Sequence, residues 1–299
     1  MIVIKKKQDC CGCYACKEVC PQKCISMQAD EEGFCYPSIN LEKCIECNLC
    51  VKVCPVLNQA STQKPAHVYV AINPNADIRL ESSSGGAFSL LAEKITNENG
   101  FVFGATFDKQ WNVIHNCTSD TNELNKFRSS KYVQSSINNT FTKAEELLKN
   151  GKKVLFSGTP CQIAGLKNFL RKDYPQLYTI DFICHGVPSP LVWKTYLNET
   201  LSMYKISPNT VRNINFRDKS LGWKKFSFTL QFERRGKKKH ITEVFYRNYY
   251  IRGFLHDIYL RPSCYSCPSK GGKSNSDITI ADFWGIQHIC PELNDDKGI

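Results

Sequence analysis

Beyond residue 66 the apolar positions alternate between two periods. Residues 68–72 form a short apolar run of strand type, and 86–97 carry Phe88, Leu91 and Ile95 at helical spacing. Residues 101–107 read as a strand, with 113–118 as its neighbour. Thr142 followed by Glu145 reads as a capping box opening a helix that ends near Gly151. The apolar run 153–156 leads into Ser157-Gly158-Thr159-Pro160-Cys161, after which Ile163, Leu166, Phe169 and Leu170 share a helix face. Residues 178–184 are another buried strand, and Ser189-Pro190 starts the next helix. This alternation predicts an α/β domain with a mixed sheet. Past residue 210 the pattern turns antiparallel. Phe226, Phe228, Leu230 and Phe232 alternate, and the basic run 234–239 reads as a solvated hairpin tip or as a docking patch for an anionic partner.

Cysteine spacing, rather than hydropathy, organises the first 60 residues. Cys10, Cys13, Cys16 and Cys20 map onto Cys44, Cys47, Cys50 and Cys54 with one constant offset, which marks an internal duplication. The polar, proline-containing stretch 58–65 reads as a linker. The expected organisation is therefore an α+β ferredoxin-like module over 1–60, followed by a larger α/β domain over 61–299.

Each half of the duplication is a complete C-x2-C-x2-C-x3-C-P signature, in which the fourth cysteine ligates the other cluster. One 4Fe–4S cluster is expected on Cys10, Cys13, Cys16 and Cys54, and a second on Cys44, Cys47, Cys50 and Cys20. A pair of zinc sites is the alternative, but this spacing suits tetrahedral zinc poorly. Cys11, Cys24 and Cys35 fall outside the ligand spacing and read as small buried hydrophobes. In the large domain Cys161 and Cys184 follow successive strands, and Cys264-x2-Cys267 comes later. These four admit three readings: a redox dithiol in the CxxC, a nucleophile at Cys161, or one more cluster. Cys117 and Cys290 lack partners and read as structural, as does His185 beside Cys184. Ser82-Ser83-Ser84-Gly85-Gly86-Ala87 lies between a strand and a helix, either as an anion site for a cofactor's phosphates or as an ordinary N-cap loop.

Composition narrows the class. A chain of 299 residues with 42% hydrophobic residues and a mean hydropathy of −0.35 is expected to be globular and soluble. No apolar run approaches the ~18 to 20 residues of a membrane span. Met1-Ile2-Val3-Ile4-Lys5 is too short for a secretory signal. The expected location is the cytoplasm, where 17 cysteines, an odd number, hold metal rather than disulfides. The formal charge of +11 resides wholly beyond residue 60, and cluster thiolates would offset part of it. No nucleic-acid motif accompanies the charge, so nucleic acid is not an expected partner.

Ser83-Ser84-Gly85-Gly86, Ser130-Lys131-Tyr132, Gly158-Thr159-Pro160-Cys161-Gln162, Ile183-Cys184-His185-Gly186 and Cys264-x2-Cys267 together resemble the beta subunits of coenzyme F420 hydrogenases and dehydrogenases. The resemblance runs to about residue 287 and includes members with a bicluster ferredoxin fused in front. It implies a third 4Fe–4S cluster on Cys161, Cys184, Cys264 and Cys267, beside FAD. The family's flavin segments correspond to Ser83, Ser84, Gly85, Gly86 and Ala87 and to Ser130, Lys131 and Tyr132. Relatives usually continue past Asp282-Phe283-Trp284-Gly285, so the chain is expected to lack a C-terminal part. The resulting expectation is an iron–sulfur flavoprotein oxidoreductase. It would move electrons between a soluble hydride carrier, FAD, three clusters and an electron donor or acceptor protein. The alternative is an electron-transfer subunit of a larger complex without its own substrate site.

Overall fold

The repeat of the cysteines is also a repeat of backbone geometry. A 3-10 turn at Lys7–Asp9 recurs at Leu41–Lys43, and the short helix α1 (Ala15–Glu18) recurs as α2 (Leu49–Lys52). Residues with positive φ recur with them, Gly12 and Tyr14 in one half and Glu46 and Asn48 in the other. Each left-handed step bends the loop, so that successive thiols face a common interior before the helix carries the fourth away. Between the halves lies an antiparallel hairpin, β1 (Ile25–Ala29) and β2 (Cys35–Ile39), with Ile25 opposite Ile39. Asp30 Oδ1 accepts from the backbone N–H groups of Glu32 and Phe34 and so closes its turn.

The computed structural model describes residues 1–62 and 67–299, and the predicted linker at 58–65 lies partly outside the described residues. Its first residue belongs to the N-terminal part. Asn58 Nδ2 donates to the carbonyls of Val51 (2.7 Å) and Cys54 (3.2 Å).

The chain continues as α3 (Ala76–Glu81), α4 (Ala87–Asn97), β3 (Phe101–Phe107), β4 (Val113–Thr118), α5 (Thr140–Lys149), β5 (Val154–Ser157), α6 (Pro160–Leu170), β6 (Leu177–Phe182) and α7 (Pro190–Met203). Then come β7 (Val211–Asp218), β8 (Ser227–Arg234), β9 (Lys237–Val244), α8 (Tyr249–Leu255) and β10 (Ile278–Ile280). Five strands form one mixed sheet in the order β10-β6-β5-β3-β4, parallel except for the antiparallel edge strand β4. Val154, Leu155 and Phe156 in central β5 are all buried, as a strand covered on both faces requires. Pro160 occupies the first turn of α6, and the N–H of Thr159 donates to Gln162 Oε1 at 2.9 Å, half of a capping box. Ser189 caps α7 by accepting from the N–H of Val192. Strands β7, β8 and β9 form a separate antiparallel sheet around Trp193, Phe216, Phe228 and Tyr250. Among the described residues no helix is long and apolar enough to cross a membrane.

Three expectations need correction. Residues 68–72 form no strand, and Val68 and Tyr69 are 85% and 80% exposed. An apolar run becomes a strand only where a neighbour completes its ladder, and the first pairing is made at Asn73, whose N–H donates to Gly85 O. Helix α5 starts at Thr140, so Thr142 is no cap. Its N–H and hydroxyl both donate to Glu18 Oε2 (2.9 and 3.0 Å). The strand expected over 178–184 ends at Phe182, which leaves Cys184 on a loop.

That Glu18 contact is one of many between the N-terminal part and the rest. Cys11, Cys13, Tyr14, Ala15 and Val53 are buried in one apolar cluster with Phe103, Phe141, Phe156, Ile163 and Leu166. Gly165 of α6 is the point of closest approach. A Cβ there would stand 2.9 Å from Cys13 Cβ and 3.0 Å from its Sγ. Gly165→Val is therefore expected to overpack this seam, cost about 1–3 kcal/mol and disturb iron held at Cys13. Thermal denaturation and iron content check it; a variant with unchanged melting temperature and iron would show that the seam is not packed in this way.

Candidate functional site

Two hollows open in the N-terminal part, and each takes thiols from both halves of the repeat. Cys10, Cys13, Cys16 and Cys54 line one, walled by Ile2, Ile4, Met27 and Val56. Cys20, Cys44, Cys47 and Cys50 line the other, with Ile25, Ile39 and Leu49. Each fourth cysteine stands two residues beyond its helix, so the turn of α1 hands Cys20 to the second hollow and α2 hands Cys54 to the first. Donors already point at the sulfurs. The N–H of Ile2 lies 3.3 Å from Cys50 Sγ, and Arg261 Nη2 lies 3.5 Å from Cys10 Sγ.

Burial, with Cys10 and Cys54 close by, pushes the Cys16 thiol up to about 12. Thiols held protonated by desolvation and by each other ionise together when a cation arrives. Among the described residues no three His, Cys, Asp or Glu side chains converge on the single point that one ion requires. A cubane asks for something else: four thiolates, each on its own iron, set apart around a hollow. The donor sets fit a cluster.

The large part brings its four cysteines together from three separate segments. Cys161 opens α6 and Cys184 follows β6. Cys264 ends a 3-10 turn at Pro262–Cys264, and Cys267 lies just beyond. Burial pushes the Cys184 thiol well above its usual range, and Cys161, Cys264 and Cys267 crowd it further. Burial likewise pushes Cys264 up to about 11. Thr159 Oγ1 lies 3.2 Å from Cys161 Sγ, and the N–H of Val187 lies 3.5 Å from Cys264 Sγ. Cys11, expected only as filler, lies between the two assemblies: it is buried in one apolar cluster with Cys13, and Cys161 packs against that cluster. Nothing in its local sequence marks that position.

The Ser83 loop and the Ser130 segment also meet. Ser83 and Ser130 hydroxyls are 2.9 Å apart, and the N–H of Ser130 donates to Ser83 Oγ at 2.7 Å. Gly86, at φ +81°, precedes the first turn of α4, which starts at Ala87. Lys131 Nζ donates to the carbonyls of Lys126 and Arg128, and burial holds its pKa down at about 7. Tyr132 OH bonds Arg217, which also reaches Ser83 O (3.3 Å) and Asp282 (3.1 Å). Lys219 Nζ donates to the carbonyls of Arg79, Ser84 and Lys297, and burial, with Arg79 and Arg217 nearby, lowers it to about 8. Arg217 and Lys219 come from β7 and the turn after it, far along the chain, and local pattern does not reveal them. Among the described residues Asp282 is the one carboxylate that hydrogen-bonds to any of Lys131, Arg217 and Lys219. Three cations with one carboxylate partner leave an excess of positive charge, which fits an anionic phosphate group. Residues 298 and 299 wall one side: Ser84 Oγ donates to Ile299 O, and a Cβ at Gly85 would meet Ile299 backbone at 3.0 Å.

His185 and Cys117 make other contacts. His185 Nε2 lies 2.6 Å from Asp257 Oδ1, and its ring stands edge-on to Phe254. Cys117 lies on β4 opposite Phe103.

Residues 151–299 match the family described as the C terminus of the coenzyme F420 hydrogenase/dehydrogenase beta subunit, and residues 9–58 match a 4Fe–4S dicluster domain. The chain belongs to this beta-subunit family. The dicluster segment is 42% identical over 59 residues to NADH-quinone oxidoreductase subunit I 2 of Geobacter metallireducens, covering 18% of this chain and 45% of that one. Over 193 residues the beta-subunit homologue is 27% identical to the coenzyme F420-dependent sulfite reductase of Methanocaldococcus jannaschii, covering 63% of this chain and 29% of that one. The chain thus spans less than half the length of either curated relative. A chain from the F420-reducing NiFe hydrogenase complex of Methanosarcina barkeri aligns with a TM-score of 0.42 at 17% identity, over 67% of this chain and 66% of that one. Both curated relatives are oxidoreductases, and the matched dicluster domain makes this chain an iron–sulfur protein.

Proposed function

We propose that this protein is an iron–sulfur flavoprotein. It would exchange electrons between a soluble hydride carrier, of deazaflavin type as in the sulfite reductase relative, and a protein partner, through FAD and three 4Fe–4S clusters. The observation that carries the reading is the packing of Cys161 against the buried cluster that holds Cys11 and Cys13, which joins the cysteines of the large part to the first hollow. Bound FAD would supply the step between two-electron hydride chemistry and one-electron transfer, and the clusters would supply the one-electron relay.

The chain's own part is to hold and orient. Ser83, Ser84, Gly85, Gly86 and Ala87 present hydroxyls and the α4 N-terminus to a phosphate, while Ser130, Lys131 and Tyr132 close the opposite side. Arg217 and Lys219 bring positive charge to the same place. Cys161, Cys184, Cys264 and Cys267 ligate the third cluster, with Thr159 steadying Cys161. Cys10, Cys13, Cys16 and Cys54 hold the nearer ferredoxin cluster; Cys20, Cys44, Cys47 and Cys50 hold the farther one. Cys47 is exposed, which makes its surroundings the point of exchange with the partner. The thiolates require a reducing compartment, in keeping with a cytoplasmic protein.

A second reading, an electron-transfer subunit without its own substrate site, has one observation in its favour. Residues 298 and 299 already engage Ser84 and stand against Gly85. Flavin content of the anaerobically purified protein separates the two.

Loaded protein is expected to contain about twelve iron and twelve sulfide per chain, four of each per cubane. Cys184→Ser is expected to lower this towards eight without touching the ferredoxin clusters. Eight iron in the wild type, with Cys264 and Cys267 freely alkylated, would remove the third cluster.

Two further variants test the relay from opposite sides. Cys161→Ser replaces a soft thiolate with a poor iron ligand, so a hydride donor should still bleach the flavin while the ferredoxin clusters stay oxidised. Replacing Gly85 and Gly86 together with Val should exclude FAD and leave all three clusters reducible by dithionite but not by the donor. Stopped-flow spectra of both follow the outcome. Wild-type electron transfer through Cys161→Ser would overturn the proposed order.

A further inference from the structure

Arg261 is fully buried, three residues before Cys264, yet its side chain lies in the N-terminal part. Its Nε donates to Cys10 O (2.7 Å) and its Nη1 to Gln134 Oε1 (2.9 Å). Its Nη2 donates to Cys35 O (3.0 Å) and lies 3.5 Å from Cys10 Sγ. The guanidinium also lies over the Tyr36 ring, 4.4 Å from its centroid. Every hydrogen-bond partner is a carbonyl or a sulfur, and none is a carboxylate. A buried cation needs a counter-charge, and the atom in reach that acquires one is the Cys10 sulfur. The backbone of the same residue is pinned to the large part, since its N–H donates to Val187 O and its carbonyl accepts from the N–H of Cys264.

The duplication provides an internal control. Neither hollow has a Lys or Arg in its own wall, but among the described residues only the first has a cationic side chain hydrogen-bonded to one of its sulfurs, and the second wall includes Glu46, the counterpart of Gly12. At Gly12 a Cβ would stand 2.7 Å from Arg261 Nη1, so the first half leaves out the side chain where the guanidinium passes.

We propose that Arg261 is a positioning residue that raises the reduction potential of the cluster on Cys10, Cys13, Cys16 and Cys54 above that of its duplicate. The inference rests on the assignment of those cysteines as cluster ligands. One-electron reduction makes a cluster more negative. A fixed positive charge in a low-dielectric interior, with an N–H aimed at a ligand sulfur, stabilises that reduced form. The duplicate set has the backbone donor Ile2 N–H on Cys50, but among the described residues no Lys or Arg side chain hydrogen-bonds to its sulfurs, so its cluster is harder to reduce. Arg261 thereby directs an electron leaving the Cys264 region to the nearer cluster first.

The test is a spectroelectrochemical titration of the full, reconstituted chain, with iron content measured beforehand. Arg261→Gln is expected to shift the oxidised-to-reduced equilibrium of one ferredoxin cluster at least tenfold towards oxidised. That is about 59 mV lower for one electron, while the other cluster keeps its midpoint. Arg261→Lys, which keeps the charge, is expected to recover most of the shift. Full iron with both midpoints unchanged in Arg261→Gln, or with both lowered equally, overturns the proposal. Fewer than eight iron in the wild type would instead sink the ligand assignment. If Arg261→Gln fails to fold, wild-type protein labelled with guanidino-15N arginine takes its place. Its reduced ferredoxin clusters should show a 15N coupling in pulsed EPR, and absence of that coupling also overturns the proposal.

Discussion

Residues 11–15 are buried against β5 and α6, and most of the architecture follows from that contact. A short segment carrying two 4-residue helices has little core of its own. It places Cys11, Cys13, Tyr14 and Ala15 among the phenylalanines of the large part. Burial on that scale excludes water from the side of the first hollow that faces α6. It also packs Cys161 against the cluster that holds Cys11. A relay between metal centres needs short, dry, fixed separations, and a shared hydrophobic core provides all three. The cost is that thiols in such surroundings resist ionisation, as the raised Cys16 and Cys184 show, so metal binding and formation of this core are linked.

The second organising influence is charge. The region around Ser83 collects Lys131, Arg217 and Lys219 from separate segments, and among the described residues Asp282 alone gives any of them a carboxylate partner. Lysines buried against carbonyls lose solvation without gaining a full counter-charge, which is why Lys131 and Lys219 are held below their ordinary range. An anion there relieves them. Arg261 meets the same difficulty in the other half of the molecule, where its partners are carbonyls and the Cys10 sulfur.

Local signals explain what the sequence reveals. Ligand spacing, Ser189 before α7 and the β8–β9 hairpin are written within a few residues, and the helix start and the hairpin each lie where expected. The errors come from distant competitors. Thr142 looks like a cap until Glu18, 124 positions away, claims its hydroxyl and N–H. Residues 68–72 have a strand's composition but no neighbour to pair with. Arg261 reaches Cys10 across 251 positions, and Arg217 reaches Ser83 across 134; no window along the chain contains both ends. The candidate ligands are therefore legible in the sequence, whereas the side chains that set their electrostatics are not.

The duplicated halves also differ in what they tolerate. Both turn through a left-handed residue at equivalent points, yet Gly12 faces a guanidinium at 2.7 Å from any Cβ, while Glu46 carries a full side chain. Two segments that share a backbone are consequently no longer interchangeable. Grafting the second half in place of the first would drive a carboxylate into the space Arg261 occupies, and the reverse graft would remove a side chain that meets no such obstacle. The symmetry of the repeat survives in its dihedral angles and is lost in its surroundings.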